Sequence, residues 1–354
     1  ETVIIPLLDR ALKEGERSAI IYPTKALARD QLGRFRRYSI PFLLRISVLD
    51  GDTPEKERTR IYQNPPNILI TNPDMVHFSL PFSSRFRRLV RGLGVLVLDE
   101  AHVYEGSFGS HVRMILERLE MALGSDVQFV ASSATIGNPE ELGELLFDRP
   151  VQVVEGSPRR KGVAYHALVS TGGLSRWTIT ARLVSLASRA GLRCLAFVDS
   201  QQMCEVVARI ARRIGVEVMV HRAGLLREER HEVEDKLRSG ELDAVVATPT
   251  LELGIDIGLL DAVVMASPPP SYARYLQRAG RAGRRGRPGY IFTVLGDDPI
   301  DAYYERSPEK FFEQELTPVV FEPWNEEIIK IHLVALVLEN GGRLRRDRLP
   351  RGWD

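Results

Sequence analysis

The 354-residue chain balances 48 Lys+Arg against 47 Asp+Glu, a formal net charge of +1, so overall charge argues neither for nor against a nucleic-acid partner. The length suits two domains of about 150 residues better than one core. No apolar run approaches the ~20 residues that span a membrane, no signal-peptide pattern opens the sequence, and two cysteines, Cys194 and Cys204, are too few for a disulfide framework or a cysteine zinc site. A reducing, cytoplasmic setting is the expectation.

Residues 4–14 place Ile5, Leu8 and Leu12 on one helical face. SAIIYP (18–23) reads as a strand and 25–37 as a helix. ISVLDGDTPEKERTRIY follows as a strand, a Gly-Asp turn and a helix opening at Thr53 or Pro54. NILITNPD (67–74) is another strand. Val95–Leu98 is a run of four apolar residues without alternation, the pattern of a strand buried on both faces of a parallel sheet. Asp99, Glu100, Ala101 and His102 follow at once, where ligands sit in open α/β sheets. Residues 109–123 form an amphipathic helix, 127–135 a strand, and NPEELGELLF a helix with Asn138 as its N-cap.

Periodicity lapses at 156–162 and then restarts. Helices are expected at 176–189, 201–213, 226–239 and 271–282, and strands at 193–200, 216–220, 243–249, 261–267 and 289–295. A last helix at 328–340 ends at Gly341-Gly342. This alternation predicts an α/β fold with two tandem parallel sheets, each covered by helices on both faces. The expected divisions are 1–157, 158–317, and the start of a helical or winged-helix-like accessory region over 318–354.

Chemistry-bearing segments recur at the predicted strand ends. They are Pro23-Thr24-Lys25-Ala26-Leu27, Gly51-Asp52-Thr53, Thr71-Asn72-Pro73-Asp74, Asp99-Glu100-Ala101-His102 and Ser133-Ala134-Thr135 in the first half. The second half carries Asp199-Ser200, His221-Arg222-Ala223-Gly224, Thr248 to Gly258, and Gln277-Arg278-Ala279-Gly280-Arg281-Ala282-Gly283-Arg284-Arg285-Gly286. Singly, a Ser or Thr at a strand end is a turn former or helix cap, and an arginine run is a solvated or nucleic-acid-facing patch. In this order, on two tandem sheets, they resemble the superfamily 2 helicase core with its two RecA-like domains. The stretches 102–112 and 297–301, with Tyr303-Tyr304 and Phe311-Phe312, resemble the mitomycin-repair (MrfA) helicase group and the related fungal RecQ-four-like enzymes, with Lhr-type helicases next.

The resemblance implies an ATP-dependent DNA helicase or translocase, moving 3′→5′ and serving DNA repair, on single-stranded or tailed duplex DNA. It implies Mg²⁺ on Asp99, Glu100 polarising the attacking water, and His102 linking the nucleotide site to the rest of the core. Arg281 and Arg284 become arginine fingers, Gln277 a γ-phosphate sensor, and Gly254 and Asp256 nucleotide contacts. Phosphoryl transfer to water needs such a metal, base and cationic set. Nucleic-acid contacts fall to Thr24, Gly51, Thr71, Ser200, Arg222, Gly224 and Thr248, through phosphates rather than bases. Gln201 stands after Ser200 where the family usually has arginine. RNA remodelling is the alternative substrate class, because phosphate contacts do not distinguish the sugars. An ATP-independent nucleic-acid-binding protein on a degenerate core is the alternative from another class. No G-x-x-x-x-G-K-[ST] loop occurs in the sequence. The expectation is that this loop preceded Glu1, and that residues 1–354 alone hydrolyse ATP weakly or not at all.

Overall fold

The computed structural model describes residues 2–124, 126–156, 162–252, 257–283, 286–344, 349–350 and 353. These form two units, Glu1–Val154 with Pro318–Asp354, and Glu155–Thr317. Gly254, Asp256 and Arg284 lie outside the described residues.

In the first unit the order is α1 (Ile4–Lys13), β1 (Arg17–Ile21), α2 (Lys25–Ser39), β2 (Ile46–Val48), α3 (Glu55–Gln63), β3 (Ile68–Thr71), α4 (Pro73–Phe82), α5 (Ser84–Val90), β4 (Leu93–Leu98), α6 (Gly106–Leu123), β5 (Gln128–Ala131) and α7 (Pro139–Phe147). The five strands are parallel in the order β2-β3-β1-β4-β5. Central β1, β3 and β4 are apolar and buried almost throughout, because helices cover both faces. Leu7, Leu8, Leu27 and Phe35 of α1 and α2 pack on one face. Val76 and Leu80 of α4, Ile115 of α6 and Leu142 of α7 pack on the other. The Thr24 hydroxyl opens α2 by accepting from the Leu27 amide at 3.3 Å, and Gly124, at φ +73°, closes α6.

The second unit runs β6 (Ala164–Ser170), α8 (Arg176–Arg189), β7 (Cys194–Phe197), α9 (Gln201–Arg213), β8 (Met219–His221), α10 (Arg227–Ser239), β9 (Ala244–Ala247), β10 (Ala262–Met265), α11 (Tyr272–Ala279), β11 (Gly289–Leu295), α12 (Pro299–Arg306) and α13 (Pro308–Phe312). Its six parallel strands follow the order β6-β11-β10-β7-β9-β8. The chain then returns to the first unit, where α14 (Glu326–Glu339) packs on α4 and α6.

Several local expectations shift. Asn138 precedes α7 but makes no cap bond. Its amide instead exchanges two hydrogen bonds with the Val319 backbone, at 3.1 and 2.8 Å, and so fixes the returning segment. The helix expected at 109 begins at Gly106, and the last helix begins at Glu326, capped by the Asn325 side chain. The strand expected over 127–135 is shorter, Gln128–Ala131, and the Ser132 and Ser133 hydroxyls beyond it engage Asp99 and His102. Among the described residues, no helix is long and apolar enough to cross a membrane.

Candidate functional site

Strand register assembles the site in the first unit. Ile21 pairs with Thr71 on one side and Leu98 on the other, and Leu98 pairs with Ala131. The next residues, Tyr22, Asn72, Asp99 and Ser132, therefore line one edge. The parallel ladder carries one step further: the Tyr22 amide donates to Thr71 (3.0 Å), Asp99 to Ile21 (3.1 Å) and Ser132 to Leu98 (2.8 Å). Asp99 is surrounded by donors. The Ser132 hydroxyl donates to its carboxylate, and the Tyr104 phenol donates to its carbonyl at 3.4 Å. Burial, and next the Asp99 charge, pushes the Tyr22 phenol far up, and the same two causes raise Tyr104. Both phenols stay protonated and act as donors.

Glu100 departs from the strand with φ 53° and ψ 47°, left-handed values that non-glycine residues seldom adopt. That turn follows directly on β4. It is fixed on the far side by the Ala101 amide, which donates to the Ser132 carbonyl at 2.9 Å. The His102 Nδ1 lies 3.0 Å from the Ser133 hydroxyl and 3.5 Å from the Glu100 carboxylate. Two side-chain pairs thus bridge the loops after β4 and β5: Ser132 with Asp99, and Ser133 with His102, whose ring also lies beside Glu100. Their carboxylate and hydroxyl oxygens are hard donors, the set that fits Mg²⁺ with retained waters.

The second unit has its own strand-end row. Phe197 pairs with Met265 and Ala247, and Ala247 with His221. Asp199 follows β7 and accepts from the Ser267 hydroxyl at 3.0 Å. The Arg278 guanidinium, 1 % exposed, spans Asp199 (2.9 Å) and Glu252 (3.1 Å) over the Phe197 ring. Arg281 is also buried, and donates to the Glu252 carbonyl at 2.6 Å. Gln277 is half-buried on α11 immediately before Arg278. Sequence reasoning assigned no role to Arg278, Glu252, Tyr22 or Ser132. The signal for Arg278 is its place after Gln277 in the arginine-rich stretch 277–286, near the end of α11.

The residues read as nucleic-acid contacts divide. Thr24 and Ser200 are both N-caps, of α2 and α9. Thr71 is buried and donates to the Leu49 carbonyl at 2.8 Å, and Thr248 is buried with its hydroxyl 3.3 Å from that of Thr250. Arg222 is held by Glu205 at 2.9 Å and Gln201 at 3.3 Å. Gly224 lies against the Arg222 guanidinium, which an added Cβ would meet at 2.5 Å. Gly51 is exposed beside Lys25, which pairs with Asp52 at 3.1 Å.

A further polar cluster joins α14 to the first unit. His77, His111 and His332 bring ring nitrogens within 4.8 Å of one another, a spacing that suits a metal. A guanidinium fills that role instead. Arg118 Nη1 donates to Nδ1 of both His77 and His332, each at 2.9 Å, and Arg118 Nε donates to Glu339 at 2.9 Å. Burial and the Arg118 charge lower His77 to about 4 and His332 to about 2. These histidines are 34 or more residues apart in sequence, so no local motif announces them.

Comparison with known proteins follows the same division. Residues 1–142 match the DEAD/DEAH box helicase family, and residues 177–286 the helicase conserved C-terminal domain. The chain is 36 % identical over 356 residues to the uncharacterized ATP-dependent helicase YprA of Bacillus subtilis (strain 168), covering 95 % of this chain and 47 % of YprA. It is 32 % identical over 377 residues to the ATP-dependent helicase HRQ1 of Saccharomyces cerevisiae, covering 96 % and 35 %. The crystal structure of the DUF1998 helicase MrfA bound to DNA superposes with a TM-score of 0.86 at 33 % identity, covering 95 % of this chain and 48 % of that one. MrfA bound to DNA and AMPPNP gives 0.83 at 34 % identity, covering 95 % and 50 %. The chain therefore spans half or less of the length of these relatives.

Proposed function

From the premise that this chain belongs to the superfamily 2 helicases, related to YprA, HRQ1 and MrfA, with two RecA-like domains, we propose that it is the motor core of an ATP-dependent DNA translocase or helicase. The observation that carries this reading is the pair of carboxylates Asp99 and Glu100 at the end of β4, one engaged by Ser132 and the other beside His102, which contacts Ser133. A binding module has no need of a carboxylate set in a strained turn beside a second carboxylate.

In this reading Asp99 would hold Mg²⁺, and Glu100 would serve as the base toward the water that hydrolyses ATP. Bound Mg²⁺ supplies charge neutralisation on the phosphates. Ser132 and Tyr22 fix Asp99 as an acceptor. Glu100 has a different neighbour, His102, so the two carboxylates serve different tasks. His102, 3.0 Å from Ser133, ties the carboxylate loop to the loop after β5, so that a change at the nucleotide reaches a second strand end. Gln277, Arg281, Arg284, Gly254 and Asp256 keep the nucleotide-contacting roles that the family resemblance implies. DNA as substrate, 3′→5′ movement and a repair role rest on the family resemblance, and the DNA-bound MrfA structures support the first of these.

The test is steady-state ATPase activity of the full-length protein with single-stranded DNA, duplex DNA or RNA, alongside Glu100→Gln. DNA-stimulated hydrolysis is expected, falling by about 10²–10⁴ in Glu100→Gln, the usual worth of a general base, with DNA binding retained. Stimulation by RNA alone overturns the DNA assignment. Equal activity in Glu100→Gln overturns its role as base.

A further inference from the structure

Helix α4 has one buried face and one bare aromatic edge. Val76 and Leu80 are 1 % and 0 % exposed and belong to the core, yet Phe78 and Phe82, one turn apart, are 63 % and 73 % exposed. Both rings line a groove of about 570 Å³ whose wall also includes Gly51, Tyr62 and Arg85. Arg85 continues into a second hollow of about 340 Å³ with Arg88. Arg85 and Arg88 are exposed, and among the described residues no hydrogen bond or ion pair engages either guanidinium. By contrast Arg58, in the same wall, is committed to the carbonyls of Asp50 and Thr53. The groove opens beside Gly51 and Asn72, which follow β2 and β3 at the strand edge already described.

We propose that this groove is a base-stacking subsite for single-stranded nucleic acid, with Phe78 and Phe82 as the platform and Arg85 and Arg88 on the backbone. The inference rests on the nucleic-acid reading above and extends it to residues outside the helicase motifs. Flat apolar rings beside uncommitted guanidinium groups are the combination that holds unpaired bases without reading them. An apolar protein segment would leave those arginines to be desolvated without partners.

The test uses the full-length protein and fluorescein-labelled oligo-dT of increasing length, read by anisotropy at several salt concentrations. Stacking on aromatics is strong enough that Phe78→Ala/Phe82→Ala should lose about 5- to 150-fold in affinity, with an unchanged slope of log K against log salt. Phe78→Tyr/Phe82→Tyr should bind as the unsubstituted protein does. Arg85→Gln should lower the salt slope by about one. An oligonucleotide abasic throughout should bind the unsubstituted and double-alanine proteins equally. The subsite is refuted if the double-alanine protein, folded by circular dichroism, binds every oligo-dT length with undiminished affinity. If the unsubstituted protein binds no oligonucleotide, the nucleic-acid reading itself fails, and the subsite with it.

Discussion

Arg118 offers the sharpest quantitative test of how the segment after residue 318 is held. Its side chain is 0 % exposed and that of its partner Glu339 is 9 % exposed. One guanidinium satisfies the carboxylate, two imidazoles and the His77 carbonyl, the last at 3.2 Å. An arginine only donates, so Nδ1 of His77 and of His332 must both accept. His332 therefore carries its proton on Nε2 and gives it to His111 Nδ1, 2.8 Å away. The hub works only with all three rings neutral. Replacing Arg118 by Met keeps much of the volume but strands a buried carboxylate and two acceptors. Removing one partner of such a pair costs about 3–5 kcal/mol. With a urea slope of about 2–3 kcal/mol/M, the midpoint of the first unit should fall by roughly 1–2.5 M. Trp353, 3 % exposed and 6.1 Å from His332, reports this in fluorescence, while Trp177, half-buried against the second unit's core, is the internal control. Arg118→Met/Glu339→Gln should recover most of the loss, because it removes the stranded charge. A midpoint shift under about 0.3 M in the single variant, or no recovery in the double, refutes the account of a charged hub.

The same hub sets a pH dependence. His77 and His332 are lowered in the folded state to about 4 and about 2 from an ordinary 6.5. Below 6.5 the unfolded chain binds protons that the folded chain refuses, so stability is full above 6.5 and falls toward pH 4. Burial raises Glu339 and works in the opposite sense. The histidine part is therefore read as the difference between the native and His332→Asn urea midpoints, which should shrink as pH falls from 7 to 5. A constant difference sinks the claim. In the second unit, Gly283 sits at φ +70°, and an added Cβ would lie 2.7 Å from the Gly289 backbone. Gly283→Ala should cost about 2 kcal/mol or more from left-handed strain and overpacking, seen as a lower melting temperature for the second unit. A change under half that size would show that the α11–β11 junction yields.

The two sheets were legible in the sequence because their strands are short, apolar and buried on both faces, and their helices are amphipathic. The expected helices at 176–189 and 201–213 and the strand at 289–295 appear with those bounds. Strand β6 was not legible. It lies at the sheet edge with none of its residues fully buried, and His166 interrupts its apolar stretch. The motif residues were legible as a set, but not how they interlock. Ser132 and Tyr22 reach Asp99 only because register aligns three strand ends. The histidine hub depends on residues up to 255 positions apart, a matter of tertiary packing alone.

Thr24 and Ser200 show why the bland and the functional readings of a strand-end hydroxyl are hard to separate. Each accepts a backbone amide at the start of a helix, the work of an N-cap. A cap fixes where the helix begins, and so where the remaining first-turn N–H groups and the positive end of the dipole point. Those are the groups that favour a phosphate. A capping hydroxyl and a phosphate-facing helix end are thus one arrangement, and losing the cap would damage both stability and binding. Thr24→Ala should therefore reduce stability by about 1 kcal/mol and weaken DNA binding together. Thr24→Asp keeps the cap but adds a negative charge, so it should restore stability while leaving binding impaired. Recovery of both by Thr24→Asp would mean that Thr24 serves the helix alone.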